Sequence, residues 1–290
     1  MQLKKISIGS AQFGQRYGIT NKRFLKNSEI KEILLYAKTK GINFLDTAFI
    51  YGNAESRLGK IGIKNWIVSS KIPEIPKDAN EKKWIEKKLR ISLERLKIKN
   101  LETLFLHHVD LSRGYFSNKK IFKCMNRLKE EGLINNIGIS VYDIENKKKL
   151  IQDFNIDSIQ APGNVFDYRI FKKKNQELFE KFRIKLEIRS IFLQGLILED
   201  PENIPIKFRK YQIYFKKLYD LGKKYNSSPI KLALSFLKKK KYHKLIIGVK
   251  SKEELREIIL ENNKKKNLKL PKFNIKNRQY LINPYLWQKK

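Results

Sequence analysis

The 290-residue chain carries 64 Lys and Arg against 29 Asp and Glu, a formal net charge of +35, with 41% hydrophobic and 11% aromatic residues. That much apolar material builds a sizeable core, so wholesale disorder is excluded despite the charge, and the length suits one large domain or two small ones. The single cysteine, Cys124, excludes a disulfide framework and a cysteine-based zinc ribbon.

In chain order, short β-branched runs alternate with longer segments of helical period. A strand at 5–10 runs into GSAQFGQRYG, which has neither the G-x-G-x-x-G spacing nor a following helix. A helix at 28–40, opened by Ser28 as N-cap and closed by Gly41, leads to a strand at 43–48. Then come helix 55–62, strand 66–71, helix 81–97, strand 103–107, helix 118–131, strand 137–141, helix 144–153 and strand 158–160. Helix 171–182, strand 185–190, a helical pair at 211–225 and 228–240, strand 245–248 and helix 252–263 complete the pattern, with Pro229 suited to a first helical turn.

Eight strands alternating with helices over this length specify a (β/α)8 barrel over residues 1–263 rather than a doubly wound sheet. The remaining 264–290 lacks clean periodicity but holds Phe273, Tyr280, Tyr285 and Trp287, and is expected to pack partly on the barrel. No apolar run approaches the ~18 residues of a spanning helix. The N-terminal apolar run is broken at Ser7, Gly9 and Ser10, so no signal peptide and a cytoplasmic protein are expected. The lysines fall in short scattered clusters, 147–149, 172–174, 238–241 and 264–266, which read as solvated helix faces; no specific nucleic-acid partner is expected.

In such a barrel the C-terminal strand ends converge on one face. Asp46 ends the second predicted strand, Tyr51 follows five residues on, Lys71 ends the third and His107 the fourth. Singly, a strand-end Asp is often a turn cap, a Tyr beside glycine packing and a Lys after a strand a solvated loop residue. On consecutive strands of one barrel, together, they favour a site. With two other His, 108 and 243, and no second ligand cluster, no metal is expected.

The pattern D-T-A-x-x-Y-G-x-x-E-x-x-L-G at Asp46, Thr47, Ala48, Tyr51, Gly52, Glu55, Leu58 and Gly59 resembles the aldo-keto reductase family. The likeness extends to Lys71, His107, GIS at 138–140, Gln160 with Asn164, FLQGL at 192–196 and GVKSKEEL at 248–255. It implies a catalytic tetrad of Asp46, Tyr51, Lys71 and His107 that reduces an aldehyde or ketone with a nicotinamide cofactor. A carbonyl accepting hydride needs a proton donor and donors aimed at the developing oxyanion. Tyr51 is the donor so implied, with the Lys71 ammonium lowering its pKa from ~10, Asp46 holding Lys71, and His107 orienting the carbonyl. His108, one residue on, faces the opposite side of the strand.

The resemblance places Ser140 and Gln160 at the carboxamide, counts Asn164 among the matching cofactor positions, and runs Ser190, Phe192, Leu193, Gln194 and Gly195 along the pyrophosphate and ribose. Gly248, Lys250, Ser251 and Glu257 fall at the adenosine end, where Lys250 and Ser251 can grip a 2′-phosphate; NADP is favoured over NAD. Three positions depart from the family: Val141 where an Asn is usual, Arg189 where an aromatic stacks on the nicotinamide, and Ile258 after Glu257 in place of Asn. Arg189 can stack through its flat guanidinium. SAQFGQRYGITN, QAPGNVFDYR and RSIFLQGLIL are similar to a bacterial branch linked to surface-polysaccharide and nucleotide-sugar metabolism. That implies a carbonyl-bearing sugar or related polar small molecule held by Phe13, Tyr17, Phe49, Trp84 and the tail, an anionic one being steered by the basic surface. Two alternatives stay open: a cofactor-binding regulatory barrel with little turnover, and non-reductive elimination from a sugar with Tyr51 and Lys71 as base.

Overall fold

The computed structural model describes residues 2–19, 23–108, 114–265 and 268–287. Among these, eight parallel strands close into a barrel in the order β1 to β8. They are β1 (Ile6–Gly9), β2 (Phe44–Asp46), β3 (Ile67–Ile72), β4 (Leu101–Leu106), β5 (Ile134–Ser140), β6 (Ser158–Pro162), β7 (Lys185–Arg189) and β8 (Lys244–Gly248). The helices are α1 (Ala11–Gly14), α2 (Asn27–Thr39), α3 (Ala54–Ile61), α4 (Glu81–Leu96), α5 (Gly114–Glu130) and α6 (Lys148–Asp153), then α7 (Lys173–Lys181), α8 (Gln212–Lys224), α9 (Pro229–Leu237), α10 (Lys252–Asn263) and α11 (Gln279–Ile282).

Each strand buries aliphatic residues outward against the helices: Ile8, Leu45, Val68, Leu104, Ile139, Ile159, Ile188 and Ile247 are at most 2% exposed. Residues two apart on a strand share a face, so the positions between them look into the barrel, and these are largely polar. In register across the sheet, Ser140 adjoins Gln160, Gln160 adjoins Glu187, and Glu187 adjoins Lys244. Where β5 has Gly138, the Phe105 ring of β4 fills the space; a Cβ there would stand 2.3 Å from that ring.

Two local expectations are corrected. One helical turn, α1, does follow the first strand. And α2 opens one residue earlier than Ser28: the carboxylate of Glu29 accepts from Lys26 N at 2.7 Å, so a reaching-back glutamate caps the helix in place of the serine hydroxyl. Two later starts use serine: Ser228 accepts from Lys231 N ahead of Pro229, and Ser251 from Glu254 N, each at 3.1 Å. Past α10, Phe273 packs edge-on to Phe166 at 5.2 Å, Leu281 and Ile282 are fully buried, and Tyr211 Oη donates to Asn277 O at 2.8 Å. Among the described residues no helix is long and apolar enough to cross a membrane.

Gly59 decides how closely α3 approaches α4, since a Cβ there would lie 2.0 Å from Arg95 O. Helix propensity favours Ala over Gly by ~1 kcal/mol, but overlap with an immovable carbonyl reverses the sign. Gly59→Ala is expected to destabilise the protein by ~1–3 kcal/mol in urea unfolding; a gain in stability would show that the two helices part without cost.

Candidate active site

Beyond β2 the chain stays in the ladder for three more residues, Thr47 N donating to Ser69 O and Phe49 N to Lys71 O, both at 2.9 Å. It then turns sharply at Tyr51 and Gly52. Gly52 has φ +56°, and a Cβ on it would meet Gly14 O at 2.1 Å; one on Gly14 would meet Tyr51 O at 1.8 Å. Two backbones in direct contact fix where Tyr51 stands, and only glycine permits that. Glu55 ties the same loop to β3, its Oε1 accepting from Ser70 Oγ at 2.7 Å. Burial raises the Glu55 pKa.

Lys71 and Asp46 form a buried ion pair. Lys71 Nζ donates to Asp46 Oδ1 at 2.8 Å, to Asp46 Oδ2 at 2.7 Å and to Thr47 O at 2.8 Å. Those contacts use all three ammonium hydrogens. Gln160 Nε2 donates to Asp46 Oδ1 at 2.8 Å, giving the carboxylate a second anchor. Burial pulls the Lys71 pKa down while Asp46 holds it up.

The Tyr51 ring lies 5.2 Å from Lys71 Nζ and meets the His107 ring edge-on at 5.8 Å. The expectation that the ammonium lowers the phenol pKa is corrected: burial first, and the Asp46 charge second, raise it. The reason is geometric, because the ammonium hydrogens all go to Asp46 and Thr47, and the carboxylate cancels the charge Tyr51 would otherwise feel. The phenol therefore keeps its proton. Burial, then Lys71, push the His107 pKa down to about 3, so the imidazole is neutral. Its Nδ1 is buried without a partner among the described residues, which leaves Nε2 to meet the cleft. His108 is exposed.

These four side chains sit at the inner end of a cleft of about 720 Å³ that also takes in Ser140, Gln160, Arg189, Ser190, Phe192, Gln194, Gly195, Gly248, Lys250 and Glu257. Two residues assigned by resemblance to the cofactor lie outside its walls. Asn164 is fully buried and does loop work: Nδ2 donates to Ser190 O at 3.0 Å, while Oδ1 accepts from Phe166 N and Asp167 N. Ser251 caps α10 with its hydroxyl. Of the residues assigned to substrate, Tyr17 lines the cleft, Phe13 is core, and Phe49 and Trp84 flank the Lys88 ammonium, each 4.4 Å away, outside it.

Sequence reasoning missed Gln12, Gln15, Tyr142 and Glu254 on the walls. Tyr142 was findable, standing two residues past Ser140 and so on the same face; the Arg189 guanidinium stacks on its ring at 4.5 Å. The loop after β7 is left-handed at Ser190 (φ +59°), Leu193 (+50°), Gln194 (+57°) and Gly195 (+95°). It is held from both sides, by Asn164 at Ser190 O and by Ile19 N at Gln194 O, 3.3 Å. Arg23 similarly donates to Lys250 O at 2.7 Å.

A parallel eight-stranded barrel with a phenol, an imidazole and a neutralised ammonium at the C-terminal strand ends defines an enzyme-like class of fold and site. The chain belongs to the Aldo/keto reductase family, whose sequence profile matches residues 5–269. Among solved structures, an aldo-keto reductase from Bacillus halodurans in its holo form superposes with a TM-score of 0.73 and 18% identity, covering 91% of this chain and 88% of that one. Among curated proteins, the chain is 28% identical over 177 residues to the glyoxal reductase of Bacillus subtilis, covering 60% of this chain and 62% of that one. It is 28% identical over 149 residues to an uncharacterized oxidoreductase of Schizosaccharomyces pombe, covering 48% and 46%. The chain thus spans about half to three-fifths of those curated relatives' lengths.

Asp46→Asn leaves the Lys71 ammonium buried without a counter-charge, and is expected to cost ~3–5 kcal/mol in urea unfolding at neutral pH; a loss below ~1 kcal/mol would mean that another group neutralises it. For His107 the folded pKa lies below the unfolded value of ~6.5, so its contribution to stability is present above that value and is lost as pH falls toward the folded pKa. Its ring resonances in nuclear magnetic resonance are expected to stay unchanged between pH ~8 and ~5; a titration in that window would contradict the neutral imidazole.

Proposed function

We propose that this chain is a nicotinamide-dependent reductase that converts an aldehyde or ketone to the alcohol, with Tyr51 as general acid. It rests on one observation: Tyr51, His107 and the Lys71–Asp46 pair converge at one end of a single cleft, with the Tyr51 ring 5.8 Å from the His107 ring and 5.2 Å from Lys71 Nζ. A bound reduced nicotinamide would supply hydride to the carbonyl carbon. The carbonyl oxygen becomes an alkoxide, a stronger base than a phenolate, so even a phenol of raised pKa gives up its proton to it. The neutral His107 meets the same oxygen through its cleft-facing nitrogen. The phenolate left on Tyr51 forms beside the Lys71–Asp46 pair, in which Asp46 keeps the buried ammonium charged. The family membership and a relative named glyoxal reductase support a carbonyl substrate.

The cleft residues fit such a cofactor. Gln160 Oε1 is buried with no partner among the described residues, an acceptor suited to a carboxamide N–H, beside Ser140. The planar Arg189 guanidinium would lie against the ring. The left-handed backbone at Gln194 and Gly195 would let the pyrophosphate approach closely. Lys250 makes no ion pair among the described residues and would meet a 2′-phosphate, which favours NADP, with Glu257 near the adenosine. The polar walls at Gln12, Gln15, Tyr17 and Tyr142 suit a sugar-derived or similarly polar carbonyl compound, as in the bacterial branch the sequence resembles.

Loss of reduced-nicotinamide absorbance with a panel of polar aldehydes and ketones tests the activity directly. Tyr51→Phe is expected to lower kcat by ~10²–10⁴ while NADPH still binds; a full rate in the variant removes Tyr51 as the acid. Lys250→Ala is expected to weaken NADPH by about tenfold or more and NADH little. Equal losses for the two dinucleotides would remove the 2′-phosphate assignment.

A further inference from the structure

Glu187 takes no part in the chemistry above, yet it is 7% exposed inside the barrel, level with Gln160 of β6 and Lys244 of β8. Gln160 Nε2 donates to Asp46 Oδ1 at 2.8 Å and to Glu187 Oε2 at 3.4 Å. Asp46 Oδ1 accepts, and Glu187 offers an accepting oxygen in either protonation state, so the Gln160 amide turns its two N–H groups to this pair. Its own oxygen is then left on the other side, buried, with no partner among the described residues, in a side chain that lines the cleft.

We propose that Glu187 is a positioning residue: with Asp46 it grips the N–H edge of Gln160 from two sides and so presents Gln160 Oε1 to the cleft as the acceptor for a ligand N–H. That this N–H belongs to a nicotinamide carboxamide rests on the function proposed above; the grip itself does not. An amide held by one carboxylate alone keeps a free hydrogen and can turn over, exchanging acceptor for donor at the cleft wall. Held by two, it has one orientation.

The groups facing Glu187 are Asp46 from β2, Lys71 from β3, Gln160 from β6 and Lys244 from β8, Lys244 being faced in turn by Glu102, Lys185 and Lys5. Burial first and Asp46 second push the Glu187 carboxyl up to about 7. A raised acid favours the folded chain fully below its unfolded pKa of ~4.5 and loses that advantage as pH rises to its folded value. Glutamine at 187 imitates the protonated form, still offers an oxygen to Gln160, and removes the titration.

The test measures NADPH affinity by calorimetry for wild type, Glu187→Gln, Glu187→Leu, Gln160→Leu and the Glu187→Leu/Gln160→Leu double variant, with melting temperatures from pH ~4.5 to ~8. Glu187→Leu is expected to weaken NADPH about tenfold, Glu187→Gln by less than about threefold, and Glu187→Leu to add nothing once Gln160 is already Leu. Equal losses from Glu187→Leu in both backgrounds would overturn the proposal, since Glu187 would then act without Gln160. Where the leucine variants do not fold, Glu187→Gln, which keeps an oxygen for Gln160, is compared with Glu187→Ala, which does not: the alanine is expected to weaken NADPH about tenfold and the glutamine by less than about threefold, and equal losses would overturn the proposal. Failure of wild type to bind NADPH would remove the nicotinamide reading instead, and the Glu187–Gln160 coupling in melting temperature across the same leucine cycle would still judge the grip.

Discussion

The Lys71–Asp46 pair is the constraint around which the rest of the site is arranged. An ammonium with no exposure costs several kcal/mol to desolvate, and attraction to a carboxylate offsets this only when every remaining hydrogen and lone pair finds a partner. Here the hydrogens go to both Asp46 oxygens and Thr47 O, and Gln160 takes up a further Asp46 lone pair. Thr47 belongs to the segment that carries the β2 ladder on toward Tyr51, so the pair also anchors the loop that delivers the phenol. Proton affinity follows: the matched charges leave desolvation to dominate at Tyr51 and His107, and both stay in their neutral forms.

The barrel interior differs in kind from its outer wall. Outward-facing strand positions are aliphatic and pack against the helices, whereas the inward ones carry Asp46, Lys71, Gln160, Glu187 and Lys244. Such a lining is stable only as a connected network, since a half-satisfied set of buried polar groups is worse than an apolar one. The cleft is therefore the open end of an organised polar column.

Much of this was legible in the sequence because strands and helices announce themselves by period. The eight runs that mark the barrel and the strand-end placement of Asp46, Lys71 and His107 leave local signals. Proton affinities did not, because they depend on which oxygen each Lys71 hydrogen reaches and on burial. Asn164 and Ser251 stand at positions that resemblance assigns to a ligand, yet their polar atoms are used by the backbone around them. Phe49 and Trp84 fell outside the cleft because an aromatic near a strand end can as readily cover a lysine stem on the flank. Glu187 was hidden for a plainer reason, since one acidic residue in a strand bounded by Lys185 and Arg189 reads as surface until its neighbours are known.

The loop after β7 holds non-glycine residues in left-handed backbone conformations and is tied down by Asn164 on one flank and Ile19 on the other. Each such residue is costly unless its surroundings enforce it, and here they do before any guest arrives. A wall already set in its final shape gains little order on association, so recognition along that side follows a lock rather than a closing hand. Selectivity there is then written in fixed contours, with residence time governed by how many contacts must break at once.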